Sequence, residues 1–436
     1  MRIGIIGLGF VGLSLLAVLG SKGYQVIGID VNKKKLEMIK SGITPFFEPK
    51  LDLTLKNALK KNVNFSSSIN DLTNKCDFIF VTVGTPQAKD GNIDLSMIKS
   101  ATKELSKLIF NSTNKPTIII KSTIIPGTTN NTIKPILEKG SRKKAGRGFG
   151  LITNPEFLRE SQSVQDTLSP HIVILGGMKD RFQKNVEKFY MKFNQNVPII
   201  QTNSQTAEII KYANNSFLAT KISFINQIAK ICESIPGANI EDIAKAIGLD
   251  PRIGNLFLKA GPGYGGSCLP KDVKAIKNFC ESLGINPILF EAVEKINKEQ
   301  AEYIVKLIQK ICGIVKNKKI SILGLSFKPN TDDIRDSVSL ELIKKLIKKE
   351  AKVVVHDPKA TENVKKIFKS NIDYSDSIID AIKDSYGIII MTAWPEYSLI
   401  SNKNLKLMKK PVIIDTQRIL INSSLNCVYY AIGLGK

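Results

Sequence analysis

Two stretches of this chain alternate short runs of β-branched residues with helical segments, a pattern that few architectures can satisfy. From residue 1 to about 200 the runs are RIGIIGLG, QVIGID, CDFIFVTVG, PTIIIKST, FGLITNPEF and HIVILGG, and from 318 they resume as KISILGLSF, AKVVVHDP, YGIIIMTAW and PVIIDT. Runs apolar on both faces, with helical crossovers between them, predict parallel, doubly wound sheets. Between the two stretches, residues 205–235 keep a helical apolar period without Gly or Pro, which predicts one long helix. A second helical stretch is expected from about 271 through 316. A chain of 436 residues is long enough for two or three domains. The expected class is therefore α/β: two Rossmann-like doubly wound parallel-sheet domains, residues 1–200 and 317–436, joined by a helical central domain, residues 201–316, that contains the long helix.

The two sheet regions echo one another. MRIGIIGLGFVG…YQVIGIDVN is answered by KISILGLSFKPN…AKVVVHDPK, each reading as strand, turn, helix and a second strand ending in an aspartate, Asp30 and Asp357. Only the first copy carries G-x-G-x-x-G, as Gly7, Gly9 and Gly12. The first glycine makes the tight turn, the second lets a pyrophosphate approach the backbone, and the third allows close helix packing. The phosphate would sit at the helix N-terminus, where unpaired N–H groups and the helix dipole favour negative charge. Asp30 stands where a carboxylate can bond both ribose hydroxyls and repel a 2′-phosphate, so NAD is favoured over NADP. The second copy is expected to keep the fold without the dinucleotide site. The first twenty residues superficially resemble a signal peptide, but regular glycines and the direct run into a second strand favour strand, turn and buried helix. No other segment reads as a membrane span.

Composition narrows the chemistry. The formal charge is +24, which should attract anions, although stretches such as KNALKKN and LIKKLIKKE also read as solvated helix faces. Dense lysine without aromatic interleaving makes no specific nucleic-acid binder. The six cysteines, Cys76, Cys232, Cys268, Cys280, Cys312 and Cys427, lie far apart with no C-x-x-C pair, which argues against zinc and against a disulfide framework and suits a reducing cytoplasm. Only His171 and His356 are present, so mechanisms built on a histidine base or several histidine metal ligands have almost no material. No metal is expected.

Two local patterns suggest a reaction. Lys211 and Asn215, four apart on the predicted long helix, project from one face, where an ammonium and an amide side by side can stabilise an oxyanion. Alone, such a pair is more often a solvated helix face than a site. In FLKAGPGYGGSCLPKD, residues 257–272, the glycines let backbone approach a ligand, and Pro270 preorganises a helix start. That puts Cys268 just before a helix N-terminus with Lys271 nearby, an electropositive setting that lowers a thiol pKa. The other five cysteines read as buried structural residues.

Taken in order, the dinucleotide turn, VGTP at 83–86, KST at 121–123, NPEFLRE at 154–160, the Lys211 and Asn215 helix, PRIG at 251–254, the GPGYGGSCLPKD loop and FKPNTDDIRDS at 327–337 give the chain its resemblance to the UDP-glucose and GDP-mannose 6-dehydrogenase family over essentially its whole length. The resemblance implies oxidation of a nucleotide sugar's C6 alcohol to a carboxylate, with two hydrides passed to two NAD molecules. It assigns Cys268 as the covalent nucleophile, Lys211 and Asn215 as oxyanion stabilisers, Asp272 as a base acting through water, and Glu156, assisted by Thr123, as the group that activates the hydrolytic water. It assigns Lys35, Thr85, Thr123, Glu160 and Arg335 to the cofactor, beside Gly7, Gly9, Gly12 and Asp30. It assigns Glu156, Phe157, Leu158, Lys211, Asn215, Arg252, Phe257, Gly263, Tyr264 and Lys328 to the substrate, a UDP-sugar held partly by the C-terminal domain. Arg252 would reach the sugar nucleotide of a neighbouring subunit, which implies a homodimer.

Some positions depart from the family pattern. Ser161 stands where Gly is usual, His171-Ile172 where Asp-Arg is common, and Asp415-Thr416-Gln417-Arg418 replaces D-G-R, which puts an arginine contact to the nucleotide in doubt unless Arg418 shifts into that role. NPEFLRE favours the UDP-glucose and GDP-mannose branches over N-acetylated sugars, and FKPNTDDIRDS leans towards UDP-glucose. Two other readings stay open at this point. One is a two-electron β-hydroxyacid dehydrogenase without the covalent cysteine, and the other an NAD-binding nucleic-acid protein suggested by the charge.

Overall fold

The computed structural model of the chain describes residues 1–88 and 90–435. It resolves into two compact units, Met1–Asn214 and Asn215–Lys436. In the first, strands β1 (Arg2–Ile6), β2 (Gln25–Ile29), β3 (Val63–Ser66), β4 (Phe78–Val81), β5 (Thr117–Ile120), β6 (Gly150–Thr153), β7 (Val173–Gly176) and β8 (Ile199–Thr202) form one sheet in the order β3-β2-β1-β4-β5-β6-β7-β8. Every pairing is parallel except β6 with β7, which meet antiparallel at Thr153 and Gly176. The inner strands β4, β5, β6 and β7 are buried along their whole length, which is why they read as unbroken apolar runs.

The glycine fingerprint does what its spacing predicts. Gly7 turns at φ +91°, and a Cβ there would lie 2.8 Å from the Val83 backbone. The helix Phe10–Ser21 then packs so closely that a Cβ on Gly12 would sit 1.9 Å from the Gly7 carbonyl oxygen. The helix is buried on nearly every side, with Leu13, Leu16 and Leu19 fully inside, each worth roughly 1.5–3 kcal/mol of burial.

The second unit's sheet comprises β9 (Lys319–Leu323), β10 (Lys352–His356), β11 (Asp373–Tyr374), β12 (Gly387–Ile390), β13 (Val412–Asp415) and β14 (Val428–Ala431), all parallel, in the order β11-β10-β9-β12-β13-β14. The two Rossmann-like sheets and the helical region between them in sequence agree with the expected class. In the echo of the first motif, Gly324 keeps the left-handed turn at φ +98°, but Ser326 stands where Gly9 does. Asp357 is buried, its carboxylate accepting from Leu325 N, Ser326 N, Lys359 N, Ala360 N and the Trp394 indole. Bonds that would serve a ribose are used within the fold.

The long helix spans Ser204–Glu233, close to its predicted range. The expected continuous helical stretch from 271 through 316 is instead two helices, Leu269–Ser282 and Ile288–Cys312. Gly284, at φ +72°, and Pro287 end the first and start the second. A further helix, Ile240–Gly248, is capped by Asn239 accepting from Glu241 N at 3.2 Å. Among the described residues, no helix is long and apolar enough to cross a membrane.

Candidate functional site

At the carboxyl edge of the first sheet, Gly9 opens the helix Phe10–Ser21 with no side-chain cap, no acidic residue in its first turn and open space where a Cβ would project. This is a cradle that a pyrophosphate fits, with first-turn N–H groups to receive it. Asp30 is held beneath it: Oδ2 accepts from Leu8 N at 2.9 Å and Oδ1 from Asn32 N at 3.0 Å. A carboxylate has about four acceptor sites, so capacity for a ribose hydroxyl remains. Lys35 forms an ion pair with the same carboxylate. Thr85, half-buried, donates from Oγ1 to the Thr123 carbonyl at 2.7 Å, so these two positions touch each other.

A second group in the same unit centres on Glu156, in the loop that follows β6. The Lys211 ammonium lies 3.1 Å from Glu156 Oε1, and Oε2 accepts from Leu158 N at 2.5 Å. Lys211 also lies over the Phe157 ring at 5.3 Å, and His171 packs edge-on against that ring at 5.4 Å. Lys211 and Glu156 are only 4% and 7% exposed, so each charge depends on the other rather than on water. Sequence reasoning passed over Lys121. Its ammonium donates to Asn154 Oδ1 at 3.0 Å, and the Tyr190 hydroxyl donates to the same oxygen at 2.5 Å. Burial pushes the Lys121 pKa down to about 8, opposed by Glu156 and reinforced by Lys211. Its place in KST, beside Thr123 at a strand end, was the available signal. Glu160 is half-buried, and Ser161 adopts φ +67° while its N–H donates to Glu48 Oε2 at 2.7 Å.

In the second unit, Cys268 is half-buried and forms the N-cap of the helix Leu269–Ser282, with Pro270 in the first turn. One turn on, Asp272 is 1% exposed. Asn215 Nδ2 donates to its Oδ2 at 2.7 Å, and Lys271 Nζ to its Oδ1 at 2.6 Å. This corrects one expectation: the Lys271 charge is directed at Asp272 rather than reserved for the thiol. The helix start remains as the electropositive feature at Cys268.

The preceding loop is pinned at several points. Gly263 turns at φ +110° where a Cβ would meet Asn297 Oδ1 at 2.5 Å. Asn297 brackets Tyr264, accepting from its N–H at 2.8 Å and donating to its carbonyl at 2.9 Å, while the Tyr264 ring is buried against Ala219, Val273 and Val293. In the structure Tyr264 anchors the loop. Gly266 N donates to the Arg335 carbonyl at 2.8 Å, and a Cβ on Gly266 would strike the Phe327 ring, so the cysteine loop is seated on the FKPNTDDIRDS segment. There Lys328 lies over the Phe327 ring at 5.5 Å, and Arg335 is held by Asp333 through Nη2 at 2.6 Å. Phe257 adopts φ +65°, and Arg252, with its side chain 86% exposed, pairs with Asp250 at 2.6 Å.

Comparison with known proteins decides what these arrangements belong to. Residues 1–194 match the NAD binding domain of the UDP-glucose/GDP-mannose dehydrogenase family, 205–299 its central domain and 321–422 its UDP binding domain. The chain belongs to that family. It is thus an NAD-dependent oxidoreductase. It is 40% identical to a UDP-glucose 6-dehydrogenase of Rickettsia conorii, covering 99% of each chain. It is 37% identical to one of Bacillus subtilis, over 99% of this chain and 93% of that one. A solved UDP-glucose dehydrogenase of Pyrobaculum islandicum superposes with a TM-score of 0.92 at 31% identity, over 99% of this chain and 98% of that one.

The family member's departures find their places in the structure. Arg418 does not shift to a nucleotide: it is 4% exposed and donates to the Ile432 carbonyl and to Asn239 Oδ1, both at 2.7 Å, tying the C-terminal tail down. Gln417 donates to the Met391 carbonyl at 2.8 Å. Of the cysteines read as buried structural residues, Cys76, Cys232 and Cys312 are buried, with the Cys76 thiol pushed up to about 11 by burial, whereas Cys280 and Cys427 are half-buried.

Proposed function

We propose that the chain oxidises the C6 alcohol of UDP-glucose to a carboxylate, giving UDP-glucuronate, with Cys268 holding the aldehyde between two hydride transfers. The observation that carries this reading is Cys268 at a helix N-cap, one turn from a buried Asp272 whose carboxylate is aimed by Asn215 and Lys271. The names of the Rickettsia conorii and Bacillus subtilis relatives support UDP-glucose as the substrate.

NAD, when bound, supplies a hydride acceptor. The residues around it do the rest. Asp272 takes the C6 hydroxyl proton through water as hydride leaves carbon. The Cys268 thiolate adds to the aldehyde carbon, and Lys211 and Asn215 stabilise the thiohemiacetal oxyanion. Loss of the second hydride leaves a thioester on Cys268. Water then attacks the carbonyl, a C–O bond forms, the C–S bond breaks, the thiolate returns to Cys268, and Glu156, assisted by Thr123, receives the water's proton. Gly7, Gly9, Gly12, Asp30, Lys35, Thr85, Glu160 and Arg335 serve the cofactor. Phe157, Leu158, Arg252, Phe257, Gly263, Tyr264 and Lys328 serve the sugar nucleotide.

The working unit is a homodimer in the cytoplasm. Phe217, Phe224 and Ile231 recur every seventh residue along the long helix and are 64%, 51% and 49% exposed, an apolar ridge that supports association of two copies. The exposed Arg252 supports its reach towards a partner's substrate. Residues 201–316 remain the segment that carries the cysteine loop and these contacts, with 1–200 and 317–436 on either side. The test is NADH yield across UDP-glucose, GDP-mannose, UDP-galactose and N-acetylated UDP-sugars. Two NADH per UDP-glucose is the expected result; one NADH, or turnover of GDP-mannose alone, would overturn the reading.

A further inference from the structure

Glu156 in the first unit is paired with the buried Lys211 and also lies within the field of a half-buried lysine, Lys121, which the proposed chemistry does not use. Lys121 directly follows β5 and Asn154 directly follows β6, neighbouring strands joined where Asn154 N donates to the Ile120 carbonyl at 2.7 Å. Lys121, Asn154 and Glu156 line one cavity of about 40 Å³, together with Asp166, Tyr190 and Asn194. That volume holds a water or two. Asn194 Oδ1 is a buried acceptor without a hydrogen-bond partner among the described residues, and its amide nitrogen is committed to the Thr167 and Leu168 carbonyls. The other charges facing the cavity are accounted for: Asp166 is held by Arg159 at 2.6 Å, and Tyr190 is bonded to Asn154.

We propose that Lys121 is a positioning residue for thioester hydrolysis, the second cation of Glu156, holding that carboxylate oriented when Lys211 turns to the substrate oxyanion. The inference rests on the catalytic reading above. Its physical basis is the charge count. Lys121, Lys211 and Glu156 set two positive charges against one negative in the free protein, Lys211 and Glu156 buried and Lys121 half-buried. Charges so far from water need partners. An oxyanion on the substrate supplies the missing negative charge, after which Lys211 pairs with the oxyanion and Lys121 with Glu156. Without Lys121, the turn of Lys211 would leave Glu156 with no cation to orient it towards the hydrolytic water. The lowered Lys121 pKa, about 8, puts the loss of that second cation within the range of an ordinary pH profile.

The experiment follows decay of the Cys268 thioester by quenched-flow mass spectrometry, with NADH release, between pH 6.5 and about 9.5 in the wild type, Lys121→Met and Lys121→Arg. In Lys121→Met, thioester decay should slow at least about tenfold, the adduct should accumulate, formation of the thioester should slow much less, and the alkaline limb near pH 8 should vanish. Lys121→Arg, charged throughout this range, should restore most of the decay rate and move the limb upwards. Unchanged decay and pH profile in a folded Met variant, or an equal fall in every step, would overturn the proposal. Should the Met variant not fold, an alkaline limb left in place by Lys121→Arg overturns it equally. If Glu156→Gln accumulates the adduct while both Lys121 variants behave as wild type, this inference alone fails; if Glu156→Gln accumulates none, the underlying catalytic reading fails.

Discussion

Asn215 donates its side-chain amide to Asp272 at 2.7 Å, from the long helix to the helix that Cys268 caps. The bond fixes one carboxylate oxygen while Lys271 holds the other, so Asp272 is aimed before substrate arrives. Asp272→Asn should lower kcat for UDP-glucose by about 10²–10⁴-fold, the usual worth of a positioned base. Oxidation of the UDP-linked C6 aldehyde should suffer far less. Parallel NADH assays on alcohol and aldehyde check this, and equal losses on both would remove Asp272 from the first oxidation.

Ser161 occupies φ +67°, a conformation that disfavours a side chain. Its N–H bond to Glu48 would survive replacement by glycine. Ser161→Gly should therefore stabilise the protein by roughly 0.5–1 kcal/mol, the relief of strain less the added chain entropy. The midpoint of denaturant unfolding should rise, with kinetics unchanged.

Arg418 is buried with bonds to Ile432 and Asn239 and an ion pair to Glu241 at 3.0 Å. Arg418→Met takes the Arg418 donor from the Ile432 carbonyl, leaves Asn239 Oδ1 with Glu241 N alone, and should cost roughly 2–4 kcal/mol. The KM for UDP-glucose should stay within about threefold. A large KM increase at unchanged stability would restore the nucleotide contact that the position was suspected of making.

Lys121 links stability to pH with a definite sign. Its folded pKa, about 8, lies below a lysine's ordinary 10.5, so from pH 8 upwards the unfolded chain binds more protons. Stability therefore rises with pH across that window, and the burial penalty is fully present only below it. The wild type should gain up to roughly 3 kcal/mol relative to Lys121→Met between pH 7 and 10.5. Parallel denaturant titrations at those two pH values measure the difference.

What could be read from the residues was governed by how strongly each position is constrained. Gly7, Gly9 and Gly12 admit so few alternatives that turn, helix and cradle followed from spacing. The eight-stranded sheet was less legible at β3 and β8, whose residues are half exposed and lack a continuous apolar run. The break at Gly284 and Pro287 was hidden because apolar periodicity continues on both sides of it. Lys211, Asn215 and Cys268 were legible as candidates through helical spacing and the glycine loop, and Asp272 through the family resemblance. Lys121 was not, because a lysine ending an apolar strand ordinarily reaches solvent, and its burial depends on Asn154 and Glu156 from the next loop. Lys271 was misread because proximity in sequence to Cys268 does not fix where an ammonium points.

The central claim is the covalent role of Cys268, and the intact-protein mass of Glu156→Gln after incubation with UDP-glucose and NAD tests it most directly. The expected result is a glucuronyl thioester on Cys268, absent when Cys268→Ser is added. An unmodified cysteine in a Glu156→Gln protein that still forms NADH would contradict it.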